Sequence, residues 1–213
     1  YLFAFEGDMH DFYLFNGLKV IIYEKHTNPL VSVNIVYDIG SHDDPIGKKG
    51  LAHVMQNLMW QGSKNYKKDK HQQIISSIGG ESESTFWSTG DYLQFYNIAI
   101  SDSLELLLKL ESDRMSSLII NSEAVKKSID MAQSTLKHEM DNPFWPVDQV
   151  IKQNMYPDKH PYSYHWIGNE NDINNISTND CLETYYNYFT PNNAILVIVG
   201  NVDPLETLHK ITK

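Results

Sequence analysis

The sequence predicts an α+β fold, with strands and helices combined in a single domain over residues 1–213. Strands are indicated where apolar and polar residues alternate, in the first forty residues and again from 91 to 100. Helices are indicated where apolar residues recur three and four positions apart. No Gly/Ser linker, low-complexity block or run of like charges divides the chain, so one domain is expected.

Four strands are predicted. The first two are joined through a His-Thr-Asn-Pro turn at 26–29. The third is the aromatic and β-branched run at 91–100, and the fourth is the branched run at 193–200, which is typical of a central strand. The apolar faces of the first two strands comprise Leu18, Val20 and Ile22, followed by Val31, Val33, Ile35 and Tyr37.

Six helices are predicted from apolar spacing and from residues that begin or end helices. The second ends at Gly79-Gly80, a common C-terminal signal, and the fourth is stopped by Pro143. Pro204 suits the first turn of the last helix. The helices are expected at residues 51–62, 67–78, 103–118, 121–140 and 177–188, and from 203 onward.

Two further segments are expected to lack regular structure. The Glu-Ser-Glu-Ser sequence at 81–84 is rich in turn formers. Residues 154–169 mix turn formers with aromatic residues and are predicted to form an ordered loop.

Composition indicates a globular protein and disfavours two kinds of partner. Apolar residues make up 41% of the chain, enough for a buried core. A net charge of -10 disfavours nucleic acid, whose phosphates require a basic face. No apolar run reaches the roughly 20 residues of a membrane span. The sequence opens at Tyr1 without a signal-peptide pattern, so any targeting segment is expected to be removed or not included.

The segment at 53–57 looks like an interrupted zinc motif. A helix with His-x-x-Glu-His holds zinc between its histidines and places the glutamate beside the metal as general base. Here His53 is followed by Gln56 and Asn57, which share its helical face because they lie three and four residues on. A glutamine has no useful basicity near neutral pH, and asparagine is a poor replacement for imidazole at zinc. The motif therefore predicts neither a bound metal nor a catalytic base.

An ordered set of local matches resembles the pitrilysin/insulinase family of zinc metallopeptidases, which includes the mitochondrial processing peptidase. The resemblance implies an antiparallel sheet flanked by helices and one N-terminal repeat, with a second homologous half outside this chain. The matching segments lie at 15–24, 40–63, 77–84, 106–115, 141–143, 160–169 and 190–204.

The resemblance also assigns positions to the zinc site. It places His53 at the first ligand, Gln56 at the base and Asn57 at the second ligand. The third ligand, a glutamate in the family, corresponds to Gln133 or Ser134 here. An engineered Glu-to-Gln trap would leave the ligands intact, so loss at three positions favours natural degeneration. No cofactor is expected, although active members of the family carry zinc.

Peptide binding is a further expectation from the family. Asp91, Tyr92 and Tyr96 fall where the family's edge strand pairs with substrate backbone, a mode that needs no metal. The alternative is that both tyrosines are packed strand aromatics. The Trp side chains at 60, 87 and 166 line the same cavity or serve as ordinary packing.

Two histidines in the aromatic loop, His160 and His165, leave a second alternative open. They could bind a metal together with His53, although histidines in such loops are more often hydrogen-bonded packing residues.

Three functions follow from these observations. The leading hypothesis is a non-catalytic peptidase homologue that holds a peptide or unfolded polypeptide, beside an active zinc-bearing subunit or its own second half. The second is an active zinc metalloendopeptidase whose metal site lies elsewhere in the full-length protein. The third is a purely structural scaffold subunit. Family resemblance implies a bacterial periplasm or a mitochondrion as the compartment.

Overall fold

The computed structural model describes residues 8–85 and 90–213 and confirms the α+β class. Its sheet has six strands in the order β1-β2-β6-β3-β5-β4. The strands are β1 (Met9–Tyr13), β2 (Lys19–Glu24), β3 (Leu30–Tyr37), β4 (Glu81–Thr85), β5 (Leu93–Ile100) and β6 (Ala194–Gly200).

The sheet is mostly antiparallel, with one parallel pair. β2 and β6 run parallel, and every other neighbouring pair is antiparallel. β6 lies between β2 and β3, so the two strands that flank the turn at 26–29 are not neighbours. Ile198 of β6 pairs with Ile22 on one side and Val33 on the other, and all three are fully buried. The predicted central position of this strand is confirmed.

Eight α-helices form in the described ranges, and side chains cap three of the predicted ones. Asn121 accepts from the backbone N–H of Ala124, Ser177 and Asp180 form a capping box, and Asp203 caps the last helix. The helices are α1 (Leu51–Leu58), α2 (Lys70–Ser77), α3 (Leu104–Ser117), α4 (Ser122–Met140), α5 (Trp145–Met155), α6 (Glu170–Asn174), α7 (Thr178–Tyr188) and α8 (Pro204–Ile211).

Helices pack on one face of the sheet, and the opposite face is partly exposed. The inward residues of β3 that the alternation predicts are buried, while those between them are partly exposed. α3 packs against β3 and β5, and α8 packs against β2. α1 packs against α4 and α7. In the described part of the chain, no helix is long and apolar enough to cross a membrane.

Three expectations about local structure are wrong. The Glu-Ser-Glu-Ser segment is not a turn but strand β4, because its backbone pairs with β5 in register from Glu81 opposite Ile98 to Thr85 opposite Gln94. β4 therefore forms the edge, and β5, expected there, is an interior strand. The loop predicted at 154–169 begins later than expected, because residues 154 and 155 are the last two residues of α5.

Candidate functional site

The start of α1 is fixed by a buried carboxylate and by a close backbone contact. Asp44 accepts hydrogen bonds from the backbone N–H of Gly50 (2.7 Å) and of Ala52 (2.8 Å), and burial raises the pKa of its carboxyl to about 7. A Cβ on Gly168 would lie 2.0 Å from the Lys49 carbonyl oxygen. The loop that carries Gly168 is thereby held against the helix that carries the interrupted motif.

His53 and Gln56 share one face of α1, as their spacing predicts, and both are buried. Nδ1 of His53 lies 3.2 Å from Oε1 of Gln56, and Nε2 of Gln56 donates to Oγ of Ser84 at 3.0 Å. The indole N–H of Trp60 donates to the same hydroxyl oxygen at 3.0 Å. Burial lowers the pKa of His53 to about 4, so its imidazole is neutral at pH 7. These bonds tie α1 to the edge strand.

The other two zinc positions turn to different partners. Nδ2 of Asn57 donates to the backbone carbonyl of Ser128 on α4 at 3.4 Å. Nε2 of Gln133 donates to Oδ1 of Asn174 on α6 at 2.6 Å, and Ser134 is exposed. Over residues 8–85 and 90–213, no three His, Cys, Asp or Glu side chains are grouped to hold a metal ion.

The loop histidines are packing residues in this structure. Nδ1 of His160 accepts from the backbone N–H of Tyr162, and its ring stacks on Tyr156 at 5.1 Å. The His165 ring lies 4.1 Å from the Trp145 ring, centre to centre. Burial lowers the pKa of His165 to about 4. They do not assemble with His53 into a metal-binding group in the described part of the chain.

The three predicted peptide-binding residues have different surroundings. Oδ1 of Asp91 meets Nδ1 of His42 at 2.5 Å and the hydroxyl of Tyr162 at 2.9 Å. Tyr92 is 38% exposed just before β5. Tyr96 lies further along β5, where its hydroxyl donates to Oε2 of Glu83 at 2.7 Å. Asp91 thus joins the aromatic loop, while Tyr96 belongs to the half-exposed face of the sheet.

The tryptophans predicted to line the cavity also make different contacts. Trp60 lies against the guanidinium of Arg114 at 4.6 Å, and the Trp166 ring meets that of His53 edge-on at 5.0 Å. Trp87 lies outside the described residues.

Sequence reasoning missed two features of this region. One is a pocket of about 230 Å³ around Asp91, signalled only by the spacing of two between the aromatic residues 162, 164 and 166. The other is a buried ion pair beneath β5, in which Arg114 donates to both oxygens of Glu111 at 2.6 Å. The carboxylate and guanidinium are three residues apart on α3, a spacing that also fits an exposed helix surface.

Both the sequence and the fold of this chain are similar to those of known proteins. The model of the insulinase family (peptidase family M16) matches residues 19–161, more than half of the chain. The chain belongs to this family. Zinc protease PqqE of Helicobacter pylori is 26% identical over 191 residues, which cover 88% of this chain and 42% of that protein. Insulin-degrading enzyme of Homo sapiens is 25% identical over 158 residues, covering 74% and 15%.

Solved structures of M16 proteins share the fold. A protease from Helicobacter pylori superposes with a TM-score of 0.91 at 24% identity, covering 97% of this chain and 49% of that chain. Pitrilysin superposes with a TM-score of 0.84 at 20% identity, covering 97% and 22%. The chain spans less than half the length of the curated relatives it matches.

The residues that the resemblance assigns to the zinc site do not fit zinc. Catalytic zinc sites in proteins use three firm protein ligands, drawn from imidazole, thiolate and carboxylate groups. Here one buried imidazole is accompanied by the amides of Gln56 and Asn57, and Gln56 already bonds to His53 and Ser84. No hydrolytic step can be derived from this set of donors.

Proposed function

We propose that this chain is a non-catalytic M16 domain that holds an extended peptide, as one repeat beside a zinc-bearing homologous half or subunit. The observation that carries the proposal is the hydrogen-bonded chain from His53 through Gln56 to Ser84. The family resemblance assigns a metal ligand and a general base to His53 and Gln56 of this chain of contacts. One imidazole accompanied by two side-chain amides supplies neither the three firm ligands of a catalytic zinc site nor a carboxylate that could act as general base.

Peptide holding is supported by the edge strand beside that helix. Within the described residues β4 pairs on one side only, with β5. Its outer edge presents backbone N–H and C=O groups, which an extended peptide can pair with as an added strand. Ser84 anchors β4 to α1, so a peptide on this edge lies next to the interrupted motif. Asp91 and Tyr92 follow the same region in sequence and are retained as proposed contacts.

Zinc binding and peptide binding test the two parts of the proposal separately. Zinc is titrated into the full-length protein in the absence of any partner and followed by calorimetry. We expect no zinc binding that depends on His53. The comparison uses His53→Ala with His160→Ala as the matched control. Anisotropy with labelled unstructured peptides is expected to give binding that chelators leave unchanged. Stoichiometric zinc that is lost in His53→Ala, together with chelator-sensitive cleavage, would reject the non-catalytic function.

A second candidate is an active peptidase whose metal site lies in another part of the full-length protein. It is supported by the length of the relatives, more than half of which lies outside the match. In that case chelator-sensitive cleavage by the full-length protein survives His53→Ala unchanged.

A further inference from the structure

A small pocket opens between the start of β5 and the aromatic loop. Its volume is about 230 Å³, and its lining includes His42, Asp91, Tyr156, Tyr162 and Trp166. Pockets for drug-sized ligands run from roughly 300 to 1,000 Å³, so this one suits a single long side chain. Its Trp166 wall also contacts the ring of His53, which places the pocket beside α1.

Among the described residues, no lysine or arginine forms an ion pair with the one carboxylate of this pocket, that of Asp91. Half of the Asp91 side chain is exposed, and both of its hydrogen bonds, from His42 and Tyr162, end on Oδ1. His42 brings no compensating charge, because burial lowers the pKa of its imidazole and favours the neutral form. Lys152 also lines the pocket, but its ammonium is paired with Asp148 at 2.9 Å.

Aromatic rings surround this carboxylate. The Tyr162 ring lies 3.7 Å from the His42 ring and 5.4 Å from that of Tyr156, centre to centre. A cation over such rings is attracted to their negative faces. Tyr164, on the inner side of the same loop, already has the Lys49 ammonium 4.9 Å from its ring centre. A carboxylate with a remaining oxygen and a set of aromatic walls is the donor set that suits a guanidinium or an ammonium.

We propose that this pocket binds the side chain of an arginine or lysine residue within a peptide held by the chain. The inference rests on the peptide-holding function proposed above and adds a preference at one position of the peptide. A peptide paired with β4 passes α1, and Asp91 lies just before β5, the strand that β4 pairs with. One side chain of that peptide can therefore enter the pocket while its backbone pairs with the edge.

The test uses the full-length protein and a series of labelled extended peptides, each with one arginine at a different position. A matched series has neutral citrulline in its place. We expect one register in which the arginine peptide binds about tenfold more tightly than its citrulline counterpart, the gain of one charged hydrogen bond. Asp91→Asn is expected to abolish this difference, since asparagine keeps the Oδ1 acceptor and removes the charge. Asp130→Asn, an exposed carboxylate on α4, is the control and is expected to keep it.

The outcomes separate the pocket from the wider function. Equal binding of arginine and citrulline peptides in every register rejects the pocket and leaves peptide holding intact. The pocket is also rejected if the preference for arginine over citrulline is equal in all registers and falls equally in Asp91→Asn and Asp130→Asn. In that case the overall negative charge of the protein explains the preference. No binding of any peptide rejects the proposed function itself. The citrulline peptides guard against an Asp91→Asn variant that fails to fold, because a folded variant is expected to bind them as tightly as the wild type does.

Discussion

The buried pair of Glu111 and Arg114 gives the most direct test of what stabilises this fold. Both side chains are under 5% exposed, and Arg114 donates to both carboxylate oxygens at 2.6 Å. Nδ2 of Asn97 donates to the same carboxylate at 2.5 Å, so the cluster joins α3 to β5. Glu111→Gln keeps the shape and leaves the guanidinium buried without a counter-charge.

The loss of stability in Glu111→Gln follows from the two hydrogen bonds of Arg114, whose acceptor is no longer charged. Hydrogen bonds to charged groups contribute about 1.5–3 kcal/mol each, and breaking a buried pair from one side costs about 3–5 kcal/mol. We therefore expect Glu111→Gln to lower the free energy of unfolding by about 3–5 kcal/mol. Glu105→Gln on the same helix is the control, because Glu105 pairs with Lys109 in full exposure to solvent. Its stability should stay close to that of the wild type.

Urea denaturation followed by tryptophan fluorescence measures both variants, since Trp60 lies against the Arg114 guanidinium. The double variant Glu111→Gln with Arg114→Met removes both charges and should lose less than the sum of the single changes. If Glu111→Gln and Glu105→Gln destabilise equally, or if the double variant is simply additive, burial of the pair does not control its energy and the reasoning is refuted.

Three further predictions concern pH, capping and a close backbone contact. Burial lowers the pKa of His71 from 6.5 to about 4, so protonation favours the unfolded chain as pH falls from 6.5 toward 4. At about 1.4 kcal/mol per pKa unit the loss reaches at most about 3.5 kcal/mol. Urea melts at pH 7 and pH 5 should differ less in His71→Asn than in the wild type, and an unchanged difference would contradict this. Asp44→Ala leaves two backbone N–H groups at the start of α1 without their acceptor and should cost about 2–4 kcal/mol by the same assay, whereas Asp130→Ala should cost far less. Gly168→Ala should lower the thermal midpoint much more than Gly79→Ala, because both residues have positive φ but only Gly168 faces a backbone oxygen, at 2.0 Å from the added Cβ; similar midpoints would mean that the loop yields.

Local chemistry in the sequence predicts the helices that have clear caps. Asn121, Ser177 and Asp203 each begin a helix where expected, since their side chains accept from the backbone N–H three residues on. α5 was missed because Val147, Val150, Ile151 and other apolar residues on it are exposed, so its pattern does not identify an inward face. β4 was missed because its sequence is polar and rich in turn formers, and its strand form depends on backbone pairing with β5.

In the candidate site, too, some contacts could be predicted from the sequence and others could not. Residues within one helix could be placed from spacing, and His53 and Gln56 do meet. Contacts between distant segments could not, since periodicity carries no information about which loop meets which. The bond from His42 to Asp91 joins residues 49 positions apart, and that from Asn57 to Ser128 joins residues 71 apart.

The position of β6 sets the order in which the sheet can be completed during synthesis. β6 lies between β2 and β3 although it follows the other five strands in the described part of the chain. A nascent chain that stops short of β6 has β2 and β3 each with an apolar strand edge unpaired, a state prone to aggregation. We therefore expect the ribosome to release residues 194–200 before the two parts of the sheet can join, and any truncation upstream of them to yield insoluble protein.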